Sequence, residues 1–405
     1  MRQILLLLLA ANMLSCNPDY NVEPMKQGIW RGELEVSETE TLPFNFEVTA
    51  KKGLKIFNAD EVILVNDITY RNDSVFIKMP VFEGYLAMSL KDTIMNGNFI
   101  NESLDRTLPF KAIYNVKTRF DKPQQEPVVD ITGNWEAVFS KDVKGDEYVA
   151  KGIFKQEGEK VYGTFRTETG DYRYLEGIVD GDQLKLSTFD GAHAFLFTAT
   201  ISNNAMQGTF YSGNHFYEPF IAKRNENFEL PDDDKLTYLK EGYKKIAFKF
   251  PDTSGEMGSL EDARFKNKVV VVQIMGSWCP NCLDESKYYS QFYKLNRDKD
   301  IEFVALAFEY AKTKESALKS IKRLKDGVGI NYPVLLAQYG TSDKEKAQEK
   351  LPMLNHILSY PTTIFIDKKG EVRKIHTGFN GPATGEKYIE FKNEFKEFID
   401  QLLSE

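Results

Sequence analysis

From about residue 26 to residue 224, apolar side chains fall on alternate positions, as at Phe44, Phe46 and Val48 or at Leu184 and Leu186. Period two is that of a strand with one buried face, and the Gly, Asn and Asp residues that break the runs mark short antiparallel strands joined by turns. The same landmarks recur in the same order. Gly28-Ile29-Trp30 returns as Gly133-Asn134-Trp135, Phe82-Glu83-Gly84 as Phe189-Asp190-Gly191, Met95-Asn96-Gly97 as Met206-Gln207-Gly208, and Pro109-Phe110 as Pro219-Phe220. A near-constant shift of about 105–111 residues indicates one unit duplicated in tandem. The copies are expected at residues 26–116 and 131–224, each an antiparallel all-β barrel or sandwich with Trp30 or Trp135 packed inside. Residues 117–130, with Pro123 and Pro127, read as a hinge between them. Alternation reports only a buried face, so a filled core acting as spacer or docking surface and a barrel holding an apolar ligand both stay open.

A charged stretch at residues 224–244, with Asp232, Asp233 and Asp234, ends this pattern. Residues 245–405 follow a different grammar, in which apolar runs alternate with helical periodicity. Val269 to Ile274, Glu302 to Phe308 and Thr362 to Asp367 read as buried strands. Tyr288, Phe292 and Leu295 fall at i, i+4, i+7, as do Ala317, Ile321 and Leu324, with Gly327 placed as a helix stop. Tyr388, Phe391, Phe395 and Phe398 make a closing helix. The expectation is an α/β unit with a mainly parallel sheet flanked by helices.

The length of 405 residues suits two or three domains. With 42% hydrophobic and 28% charged residues the chain has the makings of packed cores, not of a disordered polymer. A net charge of −8 gives nucleic acid no electrostatic footprint, so no nucleic-acid partner is expected. There are three cysteines, Cys16, Cys279 and Cys282.

Two of them lie in Trp278-Cys279-Pro280-Asn281-Cys282, directly after the strand that begins at Val269. Cysteines two residues apart at a helix start can close a small disulfide, and the unpaired N–H groups and helix dipole there favour a thiolate on the first. Pro280 suits the first turn, where its missing N–H costs nothing. Cys279 is therefore the expected nucleophile and Cys282 the resolving thiol, with redox chemistry carried by the dithiol and no separate cofactor. Zinc is the competing use of such a pair. It needs two further ligands, and the chain offers no second CxxC and only four histidines, so no metal is expected. Downstream, Ser359-Tyr360-Pro361-Thr362-Thr363 puts a proline at the head of an apolar strand, a position that suits a cis peptide.

The WCxxC motif and the later Pro-Thr-Thr strand resemble the thioredoxin superfamily, in particular the TlpA/ResA-like thiol-disulfide oxidoreductases of bacterial envelopes, over residues 245–405. The resemblance implies that Trp278 covers the site, that Pro361 packs against the disulfide, and that the Tyr360 backbone pairs with an extended client, which makes Trp278, Pro280, Tyr360 and Pro361 candidate substrate-binding residues. The buried carboxylate of cytosolic thioredoxins is replaced here by Gln273. In ResA-like proteins a glutamate three residues after the second cysteine does that work, and Glu285 occupies the position. It further implies disulfide-bearing envelope proteins as substrates, re-reduction by a membrane donor of CcdA or DsbD type, and cytochrome c maturation as one use. Oxidase or isomerase action is an alternative, as is a binding protein whose β repeats carry the main function. His193 and His215 read as core or surface residues and His356 as structural. Residues 338–358 form an insertion, either a cap over the groove or an ordinary surface helix.

At the N-terminus, Leu5 through Leu9 form an apolar run of signal-peptide length, too short to span a bilayer. It closes on Met13-Leu14-Ser15-Cys16, which resembles the bacterial lipoprotein box. That resemblance implies a signal peptide over residues 1–15, lipidation of Cys16, and an enzyme anchored to a bacterial membrane and facing the periplasm.

Overall fold

The computed structural model describes residues 24–51 and 53–405; the signal run and Cys16 lie outside them. Two antiparallel sheets of nine strands each come first. In the first, Gly28–Glu35 pairs with Thr41–Val48 on one side and Arg106–Tyr114 on the other, and the sheet ends on Glu61–Val65 and Asp67–Arg71. In the second, Gly133–Phe139 lies between Tyr148–Glu157 and Phe216–Arg224. An added ladder between Tyr148–Glu157 and Lys160–Thr167 closes that sheet on itself as a barrel.

The duplication extends to single atoms. Gly28 and Gly133 adopt φ of 119° and 120°, a region that side chains rarely enter. Each starts the strand that carries the copy's tryptophan. Trp30 Nε1 donates to Lys26 O and Trp135 Nε1 to Ile131 O, both at 2.9 Å and both four residues back. Gly97 sits opposite Phe110 as Gly208 sits opposite Phe220. Both indoles are fully buried, and with the phenylalanines around them they fill the two interiors. Each such burial contributes roughly 1.5–3 kcal/mol.

Residues 117–130 do not behave as a free hinge, because Arg119 is 5% exposed and pins the copies together. Its guanidinium donates to Pro43 O and Phe57 O of the first copy and to Ser187 Oγ of the second. Five donors fixed in a fork let one side chain satisfy carbonyls from both sheets. Phe189 of the second copy crosses over to pack on Phe44 and Phe99, with ring centroids 4.5 and 5.1 Å away.

The C-terminal sheet has five strands in the order Val334–Gln338, Ile301–Phe308, Val269–Met275, Thr362–Ile366, Val372–Thr377. The first three are parallel, and the last two are antiparallel, so the sheet is mixed where a mainly parallel one was expected. The reason is the short return: residues 339–361 carry the chain along one end of the sheet, with only the seven-residue helix Lys344–Lys350, instead of crossing its face. A fully buried strand reads the same in either direction.

Helix α1 (Pro280–Leu295) follows the central strand, α2 is Lys314–Val328, α3 is Lys344–Lys350 and α4 is Glu386–Ser404. Tyr288 and Phe292 of α1 meet Phe395 of α4 at 5.3 and 5.0 Å. The stop of α2 is Gly329 in the left-handed region (φ 74°), not Gly327, which remains helical. Gly327 instead leaves room for the first copy, since a Cβ there would stand 3.2 Å from Val81 Cγ2. The insertion at residues 338–358 buries Leu351, Leu354 and Ile357, and Leu239 bridges to Leu354. The charged stretch before the domain is thus tied down: Asp233 O accepts from Thr377 N at 3.0 Å, and Asp234 pairs with Lys374 and His376.

Candidate active site

Every residue of Val269–Met275 is buried, and the strand delivers the chain to a turn whose shape is set by its neighbour. Ser277 N and Oγ donate to the two carboxylate oxygens of Glu309 at 2.8 and 2.7 Å, and Trp278 Nε1 donates to Phe308 O at 2.9 Å. Cys279 then caps α1. Its Sγ accepts from Cys282 N at 3.1 Å, while Pro280 takes the first helical position. Cys279 and Cys282 are joined as a disulfide with Cα atoms 5.2 Å apart. Cys279 is 6% exposed and Cys282 fully buried, so attack from outside must come at Cys279.

The loop before the fourth strand closes over the sulfurs. The Tyr360–Pro361 bond is cis, and Cys279 Sγ lies 3.4 Å from Tyr360 O. The Tyr360 ring packs edge-on to Trp278 and against Phe308, both at 5.7 Å. Its hydroxyl is buried without a hydrogen-bond partner.

Glu285 is fully buried behind the disulfide. Its carboxylate accepts from Gln273 Nε2 at 2.7 Å, Thr363 Oγ1 at 2.8 Å and Tyr289 Oη at 3.0 Å. Gln273 Nε2 also reaches Cys282 O at 3.5 Å, so the residue that replaces the usual carboxylate links Glu285 to the resolving cysteine. Burial raises the Glu285 carboxyl to about 7, the hydrogen bonds offsetting only part of the desolvation.

The sign of the stability effect follows. A carboxyl that is harder to ionise folded than unfolded stabilises fully below about pH 4.5, and that contribution is lost as pH rises through about 7. Glu285→Gln is expected to flatten the decline in urea midpoint between pH 5 and pH 8, by an amount equivalent to at most a few kcal/mol. Asp171 and Glu309, raised by burial to about 6 and about 7, keep a residual slope of the same sign. An unchanged slope in the variant would show that Glu285 is not the buried acid described here.

Sequence reasoning missed two parts of the site. One is Glu309, whose signal is an acidic residue directly after a buried strand beside the CxxC strand. The other comes from the second β copy. Arg173, 2% exposed, forms ion pairs with Asp284 of α1, with Glu61 of the first copy and with Asp190 of its own, and donates to Pro280 O at 3.3 Å. Asn281 Nδ2 donates to Asp171 O at 3.1 Å, and Asp171 Oδ2 accepts from Gly381 N at 2.6 Å. The four histidines are placed elsewhere: His193 stacks on Phe195, His215 is held down to about 4 by burial and by Arg106, His356 Nε2 meets Leu236 O, and His376 meets Asp234. Among the described residues no group of three or more His, Cys, Asp or Glu side chains is arranged to hold a metal ion.

The chain's similarity to known proteins lies in its C-terminal part. Residues 240–389 match the Redoxin family model. The thioredoxin-like protein YneN of Bacillus subtilis (strain 168) is 29% identical over 35% of this chain and 73% of its own length. The thiol-disulfide oxidoreductase ResA of Halalkalibacterium halodurans is 26% identical over 44% of this chain and 85% of its own. A solved thiol:disulfide interchange protein from Chlorobium tepidum TLS aligns with 40% of this chain and 98% of its own at 21% identity and a TM-score of 0.31. The C-terminal part of the chain is thus thioredoxin-like and matches the Redoxin model, and these relatives support a TlpA/ResA-like reading. Its enzyme class is thiol-disulfide oxidoreductase.

Proposed function

We propose that the protein is a lipid-anchored reductase of disulfides in envelope proteins, with residues 1–15 as signal peptide, Cys16 as the acylated residue, residues 26–116 and 131–224 as two β units that carry the enzyme, and residues 245–405 as the redox domain. The observation that carries this reading is the Cys279–Cys282 disulfide at the start of α1 beside the cis Tyr360–Pro361 bond. In the reductive half-cycle the Cys279 thiolate attacks one sulfur of a client disulfide. The client S–S bond breaks, a mixed disulfide forms, and the first client thiolate leaves. Cys282 gives its proton to Glu285 and attacks Cys279 Sγ, which breaks the mixed disulfide, releases the second client sulfur as a thiolate and regenerates the Cys279–Cys282 disulfide. Client and enzyme exchange two electrons. Trp278, Pro280, Tyr360 and Pro361 form the surface that receives the client. A membrane dithiol donor of CcdA or DsbD type then restores the reduced pair, and apocytochrome c thiols are one client that ResA-like proteins suggest. Among the described residues no helix is long and apolar enough to cross a membrane.

The test is the redox equilibrium of Cys279 and Cys282 against defined thiol buffers, read by alkylation mass shift. A reductase is expected to sit near about −250 mV or lower, in the range of thioredoxin. A value towards roughly −120 mV would reverse the assignment and make the protein a disulfide donor.

A further inference from the structure

The strand Lys160–Thr167 of the second β copy turns back at Glu168 and Thr169 into Gly170–Asp171, a two-residue hairpin that ends on the redox site. Three contacts place it there. Ser359 Oγ, one residue before the cis bond, donates to Thr169 O at 2.9 Å. A Cβ on Gly170 would fall 2.2 Å from Asn281 Nδ2, within the CxxC motif itself. A Cβ on Gly378, in the loop after the last strand, would stand 2.8 Å from the Thr169 carbonyl carbon. Close approach of this kind is possible only because both positions lack side chains, and both have positive φ.

The hairpin is anchored, not hung. Three residues beyond Gly170, Arg173 is fixed by its buried ion pairs to all three parts of the chain. The first copy reaches the same site, since Tyr310, 5.6 Å from Trp278, lies beside Asn101, Glu83 and Arg106. Cys279, the more exposed of the two site cysteines, therefore opens between walls contributed by both β copies.

We propose that the turn at Glu168 and Thr169 is a specificity-determining wall of the client groove. It admits disulfides carried on a flexible, extended chain, which can lie along the Tyr360 backbone, and refuses those held on a convex folded surface. Discrimination comes from an obstacle to the wrong client rather than from added affinity for the right one. The inference rests on the oxidoreductase reading of the same site and adds the shape of its substrate.

The experiment uses the full chain and two substrates, insulin with its disulfides on a folded surface and a short flexible peptide closed by one disulfide. Glu168→Gly with Thr169→Gly trims the wall while keeping a dipeptide that two-residue hairpins accept. The ratio of kcat/KM for insulin to that for the peptide is expected to rise at least about fivefold, and Glu168→Trp to lower it by a similar factor. Near-ultraviolet circular dichroism confirms that each variant is folded. A ratio within about twofold of the parent in both folded variants overturns the proposal. Failure of the parent to turn over either substrate would instead defeat the oxidoreductase reading.

Discussion

Cys279→Ala is expected to abolish turnover of disulfide substrates, with residual activity below about one thousandth of the parent, because it removes the nucleophile and no other thiol of the site meets solvent. Cys282 is fully buried behind it and cannot substitute. Cys282→Ala is expected to behave differently. It leaves the attacking sulfur in place and removes the one that resolves the mixed disulfide, so the variant accumulates covalent adducts with its clients. Non-reducing electrophoresis with mass-shift alkylation distinguishes the two. Full activity in either variant, or adducts on Cys279→Ala, would remove the proposed order of attack.

Arg173→Ala is expected to be the most destabilising single substitution outside the cores. One guanidinium with 2% of its surface exposed faces Glu61, Asp190 and Asp284, drawn from three separate parts of the chain. Its loss leaves Glu61, Asp190 and Asp284 with only their weaker partners, Asn58, His193 and Lys287, and breaking a buried pair of this kind costs about 3–5 kcal/mol. Burial already raises the Glu61 carboxyl against the pull of Arg173, so without the arginine it takes up a proton more readily and the penalty shrinks as pH falls from 8 to 5. Chemical denaturation at the two pH values measures this, and a penalty that does not depend on pH would mean that the carboxylates escape to water when the arginine is removed. The same substitution unties Asp284 and Pro280, so the opening turn of α1 keeps only the bond from Asn281 to Asp171 as support from the β sheets.

The chemistry was legible because it is local. CxxC spacing, Pro280 in the first helical turn and a proline heading an apolar strand each act over a few residues, and their physical meaning does not depend on the rest of the fold. The duplication was legible for a related reason: Gly28 and Gly133 answer the same backbone demand, and so do Trp30 and Trp135. What escaped was non-local. Arg119 and Arg173 look like ordinary charged residues in linear order, and only folding brings carbonyls and carboxylates from distant segments around them. The hinge at residues 117–130 was inferred from prolines, which report local stiffness but not the burial of Arg119. The direction of Thr362–Ile366 was hidden because a strand buried on both faces carries no alternation. Glycine ends helices often, so Gly327 reads as a stop in linear order, although its missing Cβ serves the approach of Val81.

The two β copies share their landmarks but not an outline. The second closes into a ring, so its backbone donors and acceptors are used up around the circumference. The first stops at Glu61–Val65 and Asp67–Arg71, and its outer row at Val62 and Leu64 is 50% and 58% exposed. A row of backbone N–H and C=O groups without a strand partner is a template for a further strand. The first copy therefore keeps two terminal strands that each pair with one neighbour, while every strand within the closed circuit of the second has two.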